Sequence, residues 1–245
     1  MSLLPRCRIL VFDIGDVLFS HSRSTVTSTS IPATMLRGLL SSTIWREYEC
    51  GRLSEDECYR LIAEKFSLNE GEFRRAILGV RASLQPDESF IRFIRELQAE
   101  AQGGLRIFAM SNISAPDYVV TRGKLADWSV FERIFTSADA GMRKPDLSFY
   151  KFVLDEIKAE PSSVTFVDDQ IENVLAARSL GIHGIVFDDA KRVRQALQYA
   201  VGDPVSRGLG FLDERAGRLE SESSLGHTVA ENLIQLLILE ATGNK

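Results

Sequence analysis

The stretch Arg8-Ile9-Leu10-Val11-Phe12-Asp13-Ile14-Gly15-Asp16 runs an unbroken apolar segment into an acidic, glycine-containing turn. A continuous apolar run without polar alternation suits a strand buried on both faces of a parallel sheet. Three further runs share the form. Leu105 to Met110 ends at Ser111-Asn112, Val164 to Val167 ends at Asp168-Asp169, and Gly184 to Phe187 ends at Asp188-Asp189. Helical spacing accompanies them: Phe149, Phe152 and Val153 precede the third run, and Val174, Ala177 and Leu180 follow it, with Gly181 as a C-cap. Strands alternating with helices predict an α/β fold with a doubly wound parallel sheet. Ligands of such sheets sit beyond the carboxyl ends of the strands. Asp13, Ser111 and Asp168-Asp169 all stand at those ends, so the topology gathers them on one rim.

Between the first two strands, roughly Ile31 to Glu100, the pattern is helical. Ser54 with Glu57 forms a capping box, Asn69 with Glu72 repeats the pattern, and a helix pair is expected around Glu88 to Glu100, after Pro86. Residues 21–100 therefore read as a helical cap over the rim of a core built from 1–20 and 101–203. Pro204 to Ser224 is rich in Gly, Ser and charge, and Val229 to Leu239 is an apolar helix candidate. Residues 204–245 read as a C-terminal helical extension, docked on the core or opening a further domain.

Composition narrows the function classes. Of 245 residues, 44% are hydrophobic and 26% charged, with a net charge of -5, the balance of a soluble globular protein. Basic residues form no long block, which argues against a nucleic-acid surface. Leu233 to Leu239 is far shorter than the ~20 apolar residues that span a bilayer, and Arg6, Arg8 and Asp13 interrupt the N-terminal run, so no membrane association and a cytoplasmic location are expected. Cys7, Cys50 and Cys58 read as small buried hydrophobes. His21, His183 and His227 read as structural, Arg143 as a surface charge, and Trp45, Tyr48 and Phe66 as cap core.

The rim residues suit phosphoryl transfer. A carboxylate attacks phosphorus when a divalent cation screens the charge of both partners. A hard cation takes carboxylate and carbonyl oxygens, while a lysine and a hydroxyl hold the non-bridging oxygens. In that scheme Asp13 is the nucleophile, Gly15 a carbonyl ligand and Asp168-Asp169 the second acidic arm. Ser111, Asn112 and Lys144 bind phosphate, and Gly15 and Asp16 of the turn are expected among the substrate-binding residues.

Four segments, Val11-Phe12-Asp13-Ile14-Gly15-Asp16-Val17-Leu18, Met110-Ser111-Asn112, Gly141-Met142-Arg143-Lys144-Pro145-Asp146 and Phe166-Val167-Asp168-Asp169-Gln170-Ile171-Glu172-Asn173, resemble the motifs of the haloacid dehalogenase superfamily in order and placement. Gly141 to Asp189 is similar to the N-terminal phosphatase domain of soluble epoxide hydrolases. The resemblance implies a Rossmannoid core with a helical cap, Mg2+ as cofactor, and a phosphate or diphosphate of a small organic molecule as substrate. It implies Asp13 as nucleophile and metal ligand, Gly15 as a backbone ligand, Ser111 and Lys144 as the phosphate-binding pair, and metal ligation by the acidic pair, directly by Asp169 with Asp168 acting through hydrogen bonds or water.

The chain departs from the family at Gly15, where most of its phosphatases carry the aspartate that serves as general acid; the nearest carboxylate, Asp16, lies one residue later. A leaving group that needs little protonation, such as phosphate, fits this departure. A narrower resemblance joins Asp168-Asp169-Gln170-Ile171-Glu172 and the Asn232 to Glu240 tail to the N-terminal domain of drimane-type sesquiterpene cyclases, implying a prenyl or sesquiterpenyl diphosphate. The D-x-D-T-T protonation motif of such cyclases is absent from the 245 residues. Three readings follow: a phosphohydrolase, the diphosphate-handling half of a cyclase with a further helical domain or a second copy as partner, and a catalytically silent interaction module. A true haloacid dehalogenase needs no metal, which would leave the acidic pair without a purpose.

Overall fold

A computed structural model of the chain describes residues 8–21 and 30–202. Cys7, His227 and the apolar segment from Val229 lie outside the described residues. Five parallel strands form the central sheet: β1 (Ile9–Phe12), β4 (Arg106–Ser111), β5 (Arg133–Thr136), β6 (Val164–Asp168) and β7 (His183–Val186), in the order β5-β4-β1-β6-β7. The four expected apolar runs are β1, β4, β6 and β7. β5, an edge strand of sequence Arg-Ile-Phe-Thr, is too short and mixed to stand out in the sequence.

The chain winds outward from β1 through β4 to β5, then returns to build β6 and β7 on the other side, so the strand order reverses between β1 and β6. This switch is where open α/β sheets bind ligands. Register fixes the rim. Phe12 pairs with Ala109 and Val167, so Asp13 emerges one step beyond, beside Asp168.

Alternating β1 residues face the two sides of the sheet. Leu10 and Phe12 pack with α5 (Glu88–Glu100) and α10 (Ala190–Val201), through Phe90, Ile94, Val193 and Leu197. Ile9 and Val11 pack with α8 (Leu147–Ile157) and α9 (Ile171–Ser179), through Phe149, Tyr150, Val153 and Ala177. Each fully buried Leu, Val or Phe contributes ~1.5–3 kcal/mol of transfer free energy, which makes this sandwich the main stabilising element.

The insert forms α1 (Ala33–Leu40), α2 (Thr43–Glu49), α3 (Glu55–Phe66) and α4 (Glu70–Ser83). The capping box at Ser54 and Glu57 is present, and Asn69 caps α4 through the Glu72 N–H. These helices share their own apolar cluster, with Trp45, Tyr48, Tyr59 and Phe73 packed edge to face.

Packing divides the chain elsewhere than at the expected residue 100. The expected helix pair near Glu88 is a single helix, α5, and it belongs to the core sheet. Phe90 is fully buried, edge-on to Phe12 at 6.0 Å. Between α4 and α5 lies β3 (Leu84–Pro86), which pairs antiparallel with β2 (Phe19–His21). The cap thus hangs from a two-stranded flap rooted beside Asp13. Among the described residues no helix is long and apolar enough to cross a membrane.

Phe90→Ala should lower the stability of the whole chain by ~3–5 kcal/mol, the cost of a large core truncation. Ser54→Ala, which removes one helix cap, should cost only about 1 kcal/mol. Urea unfolding followed by circular dichroism separates the two; equal small losses would place α5 outside the core.

Candidate active site

Asp13 follows β1 and continues its ladder, its N–H donating to the Val167 carbonyl at 2.8 Å. Its Oδ1 accepts the Ile14 N–H at 2.7 Å and lies 2.9 Å from Lys144 Nζ. Lys144, with its side chain wholly buried, also donates to Asp168 Oδ2 at 2.6 Å and to the Met110 carbonyl at 2.9 Å. One ammonium thus ties together the ends of β1, β4 and β6. Asp168 accepts further bonds from the Gln170 N–H at 2.8 Å and from the Asn173 amide at 2.9 and 3.1 Å. Asp169, half-buried, is bonded at its Oδ2 by the neighbouring Gln170 amide. One oxygen from each of Asp13, Asp168 and Asp169 lies within 4.8 Å of the others.

Charge shapes this cluster. Burial pushes the Asp13 carboxyl up to about 7; the Lys144 ammonium opposes the shift and the Asp168 carboxylate adds to it. Burial also raises Asp169, opposed by its bond from Gln170 and reinforced by the charges of Asp168 and Asp16. At Lys144 burial works against the ammonium, but Asp13 and Asp168 outweigh it and hold the group above its ordinary range. Three carboxylates against one ammonium leave surplus negative charge on hard oxygen donors, with no thiolate or imidazole among them. That donor set fits a hard divalent cation such as Mg2+.

Ser111 is buried at the end of β4. Asn112, expected on the substrate, engages the backbone of Lys144 with both amide atoms: Oδ1 accepts the Lys144 N–H at 2.8 Å, and Nδ2 donates to its carbonyl at 2.9 Å. Gly15 and Asp16 are both exposed at the turn, and Asp16 adopts a left-handed φ of 52°. Glu172, the last member of the Asp-Asp-x-x-Glu run, is exposed in the first turn of α9 and is not among the clustered carboxylates. Arg143 is no surface charge. It pairs at 2.9 Å with Glu49 of α2, whose carboxylate is itself largely buried.

A cavity of about 180 Å³ lies between rim and cap. Ile14, Gly15, Ser111 and Asn112 form its rim side; Leu40, Trp45, Ile77 and Val80 come from the cap, and Phe19 and Leu84 from the flap. Val120 of α6 (Ala115–Arg122) adds another apolar surface. Trp45 therefore serves both as cap core and as cavity wall. The Arg81–Asp117 ion pair, 2.6 Å, crosses from α4 to α6 at its margin. His21 accompanies the flap residues there, its Nδ1 3.1 Å from Ser83 Oγ.

Sequence reasoning missed Asn173, Glu49 and the Arg81–Asp117 pair. Asn173 closes the quoted acidic motif five residues after Asp168, a spacing that could have marked it. The ion pairs join residues far apart in sequence and left no local signal.

In the metal-free protein the folded state holds the Asp13 proton up to about 7, whereas the unfolded chain releases it near 4. The Asp13 contribution to stability should therefore fall as pH rises between those values. Cation binding competes with the same protons, so Mg2+ should raise the melting temperature at pH 7.5 more than at pH 5.5, and Asp169→Asn should remove the gain. Thermal denaturation with and without Mg2+ tests this; a midpoint indifferent to the ion at both values would rule the site out.

The model of the haloacid dehalogenase-like hydrolase family matches residues 7–181, and that of the sesquiterpene cyclase astC-like C-terminal domain matches 205–245. The drimenol cyclase drtB of Aspergillus calidoustus is 41% identical over 235 residues, covering 96% of this chain and 44% of the cyclase. The chain thus spans less than half of that relative. The sesquiterpene phosphatase astK of Aspergillus oryzae is 33% identical over 192 residues, 78% of this chain and 95% of the phosphatase. A predicted HAD-like family hydrolase from Porphyromonas gingivalis shares the fold, with a TM-score of 0.61 at 20% identity over 82% of this chain and all of that one. With its motifs assembled on the rim of such a core, the chain belongs to the haloacid dehalogenase-like hydrolase family.

Proposed function

We propose that the chain is a Mg2+-dependent phosphohydrolase acting through an aspartyl-phosphate on a sesquiterpenyl or other prenyl diphosphate or phosphate. The observation that carries this reading is the Asp13–Lys144–Asp168–Asp169 cluster set beside a cavity with largely apolar walls. Asp13, Asp169 and the Gly15 carbonyl would hold the ion, with Asp168 oriented beside them by Lys144 and Asn173. Bound there, Mg2+ supplies charge screening for carboxylate and phosphate alike.

The chain's own groups do the rest. A carboxylate oxygen of Asp13 forms a bond to phosphorus, the bond from phosphorus to the leaving oxygen breaks, and that oxygen keeps the electron pair. Lys144 and Ser111 hold the non-bridging oxygens as charge builds on them. Water then attacks phosphorus, the bond to Asp13 breaks, and orthophosphate departs with the carboxylate restored. The cap excludes bulk water and its apolar side chains receive the hydrocarbon.

Gly15 bears on the choice of substrate. General acid catalysis contributes ~10²–10⁴-fold where the leaving group is a poor one, and no carboxylate occupies that position. A prenyl diphosphate cleaved at its terminal phosphorus expels a phosphate monoester, which needs little protonation. A Cβ at Gly15 would meet nothing within 4 Å and its φ is not positive, so neither close contact at Cβ nor the backbone demands a glycine there.

A second reading is favoured by the astC-like match at 205–245 and the drimenol cyclase likeness: the hydrolase unit removes phosphate from the diphosphate product of an accompanying cyclase domain. An ionisation role for the Asp-Asp-x-x-Glu run is disfavoured by the exposed Glu172. The silent-module reading is disfavoured by the charged cluster, which a scaffold has no reason to bury. A cytoplasmic setting suits a soluble phosphohydrolase of this kind.

Phosphate release from farnesyl diphosphate, drimanyl diphosphate and p-nitrophenyl phosphate, with and without Mg2+, tests the proposal. Asp13→Asn should reduce release to the protein-free background. Gly15→Asp should raise turnover of an alkyl monophosphate far more than that of a diphosphate, within the ~10²–10⁴-fold range of an added general acid. An Asp13→Asn protein as fast as the parent would overturn the mechanism.

A further inference from the structure

Glu49 ends α2 at the wall of the cavity, on the cap side. Its Oε2 accepts hydrogen bonds from both Nε and Nη2 of Arg143, at 3.2 and 2.9 Å, and its Oε1 accepts the Trp45 indole N–H at 3.2 Å. Its backbone carbonyl accepts the Ser137 hydroxyl at 2.6 Å. Ser137 Oγ in turn accepts the N–H of Ile113 at 2.9 Å. Ile113 follows Asn112, whose side chain brackets the backbone of Lys144, and Lys144 follows Arg143. The contacts close a ring that runs Glu49, Arg143-Lys144, Asn112-Ile113, Ser137 and back to Glu49.

Two further contacts seat this end of α2. Arg52 donates to the Gly141 carbonyl at 2.8 Å. Gly51 has φ +71°, and a Cβ there would come within 2.9 Å of the Ala138 carbonyl oxygen. The approach is close enough that a side chain would force the helix end away.

We infer that Glu49 is a positioning residue for the phosphate-binding lysine: through Arg143 it locks the Lys144 backbone in place when the cap is seated. This rests on the phosphohydrolase reading for its catalytic consequence, although the clasp itself is a matter of structure. A partly buried carboxylate–guanidinium pair of this kind holds geometry well only while both members are present, since removing one strands the other charge. The same side chain hydrogen-bonds Trp45 of the cavity wall, so a hydrocarbon tail against that indole and the grip on the phosphate share one support. No group on Glu49 need touch the substrate for this.

The test compares the parent with Glu49→Gln, Arg143→Gln and the double variant. Hydrogen exchange of the 141–146 segment reads the clasp directly and does not depend on turnover. Exchange of the Lys144 amide should quicken in both single variants, while exchange in α3 and α4 stays near that of the parent. With a prenyl diphosphate each single variant should lower kcat by about tenfold or more while KM moves less than threefold, and the double variant should be no worse than either single, the signature of a coupled pair. Loosening spread over the entire cap with a matching fall in melting temperature would reduce Glu49 to a structural residue. A raised KM in Glu49→Gln with Arg143→Gln unaffected would make it a wall residue. Either result overturns the inference. Quickened exchange in the variants, with a parent that hydrolyses no phosphate, would leave the clasp standing and remove the phosphohydrolase reading instead.

Discussion

The Lys144 ammonium, buried between Asp13 and Asp168, is the interaction on which the rest of the molecule depends. Desolvating an ammonium and two carboxylates costs several kcal/mol per ion unless close pairing and further hydrogen bonds offset it. Here the offset is assembled from every part of the core. The Met110 carbonyl completes the lysine's shell, Asn173 and the Gln170 N–H satisfy Asp168, and the Ile14 N–H satisfies Asp13. These partners sit on β1, β4, β6 and the start of α9. The ion cluster therefore tolerates only the strand order that places β1 between β4 and β6, and the apolar faces of that sheet supply the stability that the buried charges cost.

The cluster remains charge-unbalanced. A site intended only to bind strands together would neutralise itself, with as many cations as anions. Three carboxylates against one lysine, together with an Asp13 carboxyl pushed up to about 7, describe an arrangement under electrostatic tension in the absence of a further positive charge. Function and stability pull in opposite directions at such a rim, which is common where a protein prepares a binding site. The cap answers a different need. Its four helices have their own aromatic core, so it can seat as a unit, and its attachments to the core include polar contacts of Glu49 with Arg143 and Ser137, Arg52 with Gly141, Arg81 with Asp117, and Lys124 with Ala82. Contacts of this kind hold a preferred position and can still be broken, unlike the interdigitated face beneath α5.

What could be read from the sequence divides along physical lines. The buried strands were legible because parallel strands covered on both faces must be continuously apolar, and Asp13, Ser111 and Asp168-Asp169 were legible because they interrupt such runs at the same end. Capping at Ser54 and Asn69 was legible because it is settled within four residues. The allotment of α5 was not. Its amphipathic pattern is the same whether its apolar face meets the cap or the sheet, and only the pairing of β2 with β3 shows where the cap stops. Asn112 was assigned to the substrate by its position beside Ser111, yet its partner proved to be a backbone 32 residues away. Arg143 and Glu49 likewise carry no local mark of being a pair, since a charge on a loop and a charge at a helix end look solvated until the fold brings them together.

At Gly15, the one position where the family's phosphatases usually carry a proton donor, this chain has no side chain at all, and a Cβ placed there would meet nothing within 4 Å. A glycine there is not needed to satisfy the backbone, because φ is not positive. Its presence is therefore a matter of chemistry or of room rather than of folding. If chemistry, the substrate is one whose leaving group departs without a proton; if room, it is one bulky close to phosphorus. A diphosphate carried on a hydrocarbon skeleton, the substrate proposed above, meets both descriptions at once, and the cavity that would receive it joins the apolar Leu40, Trp45, Ile77 and Val80 of the cap to Ile14, Gly15, Ser111 and Asn112 of the rim.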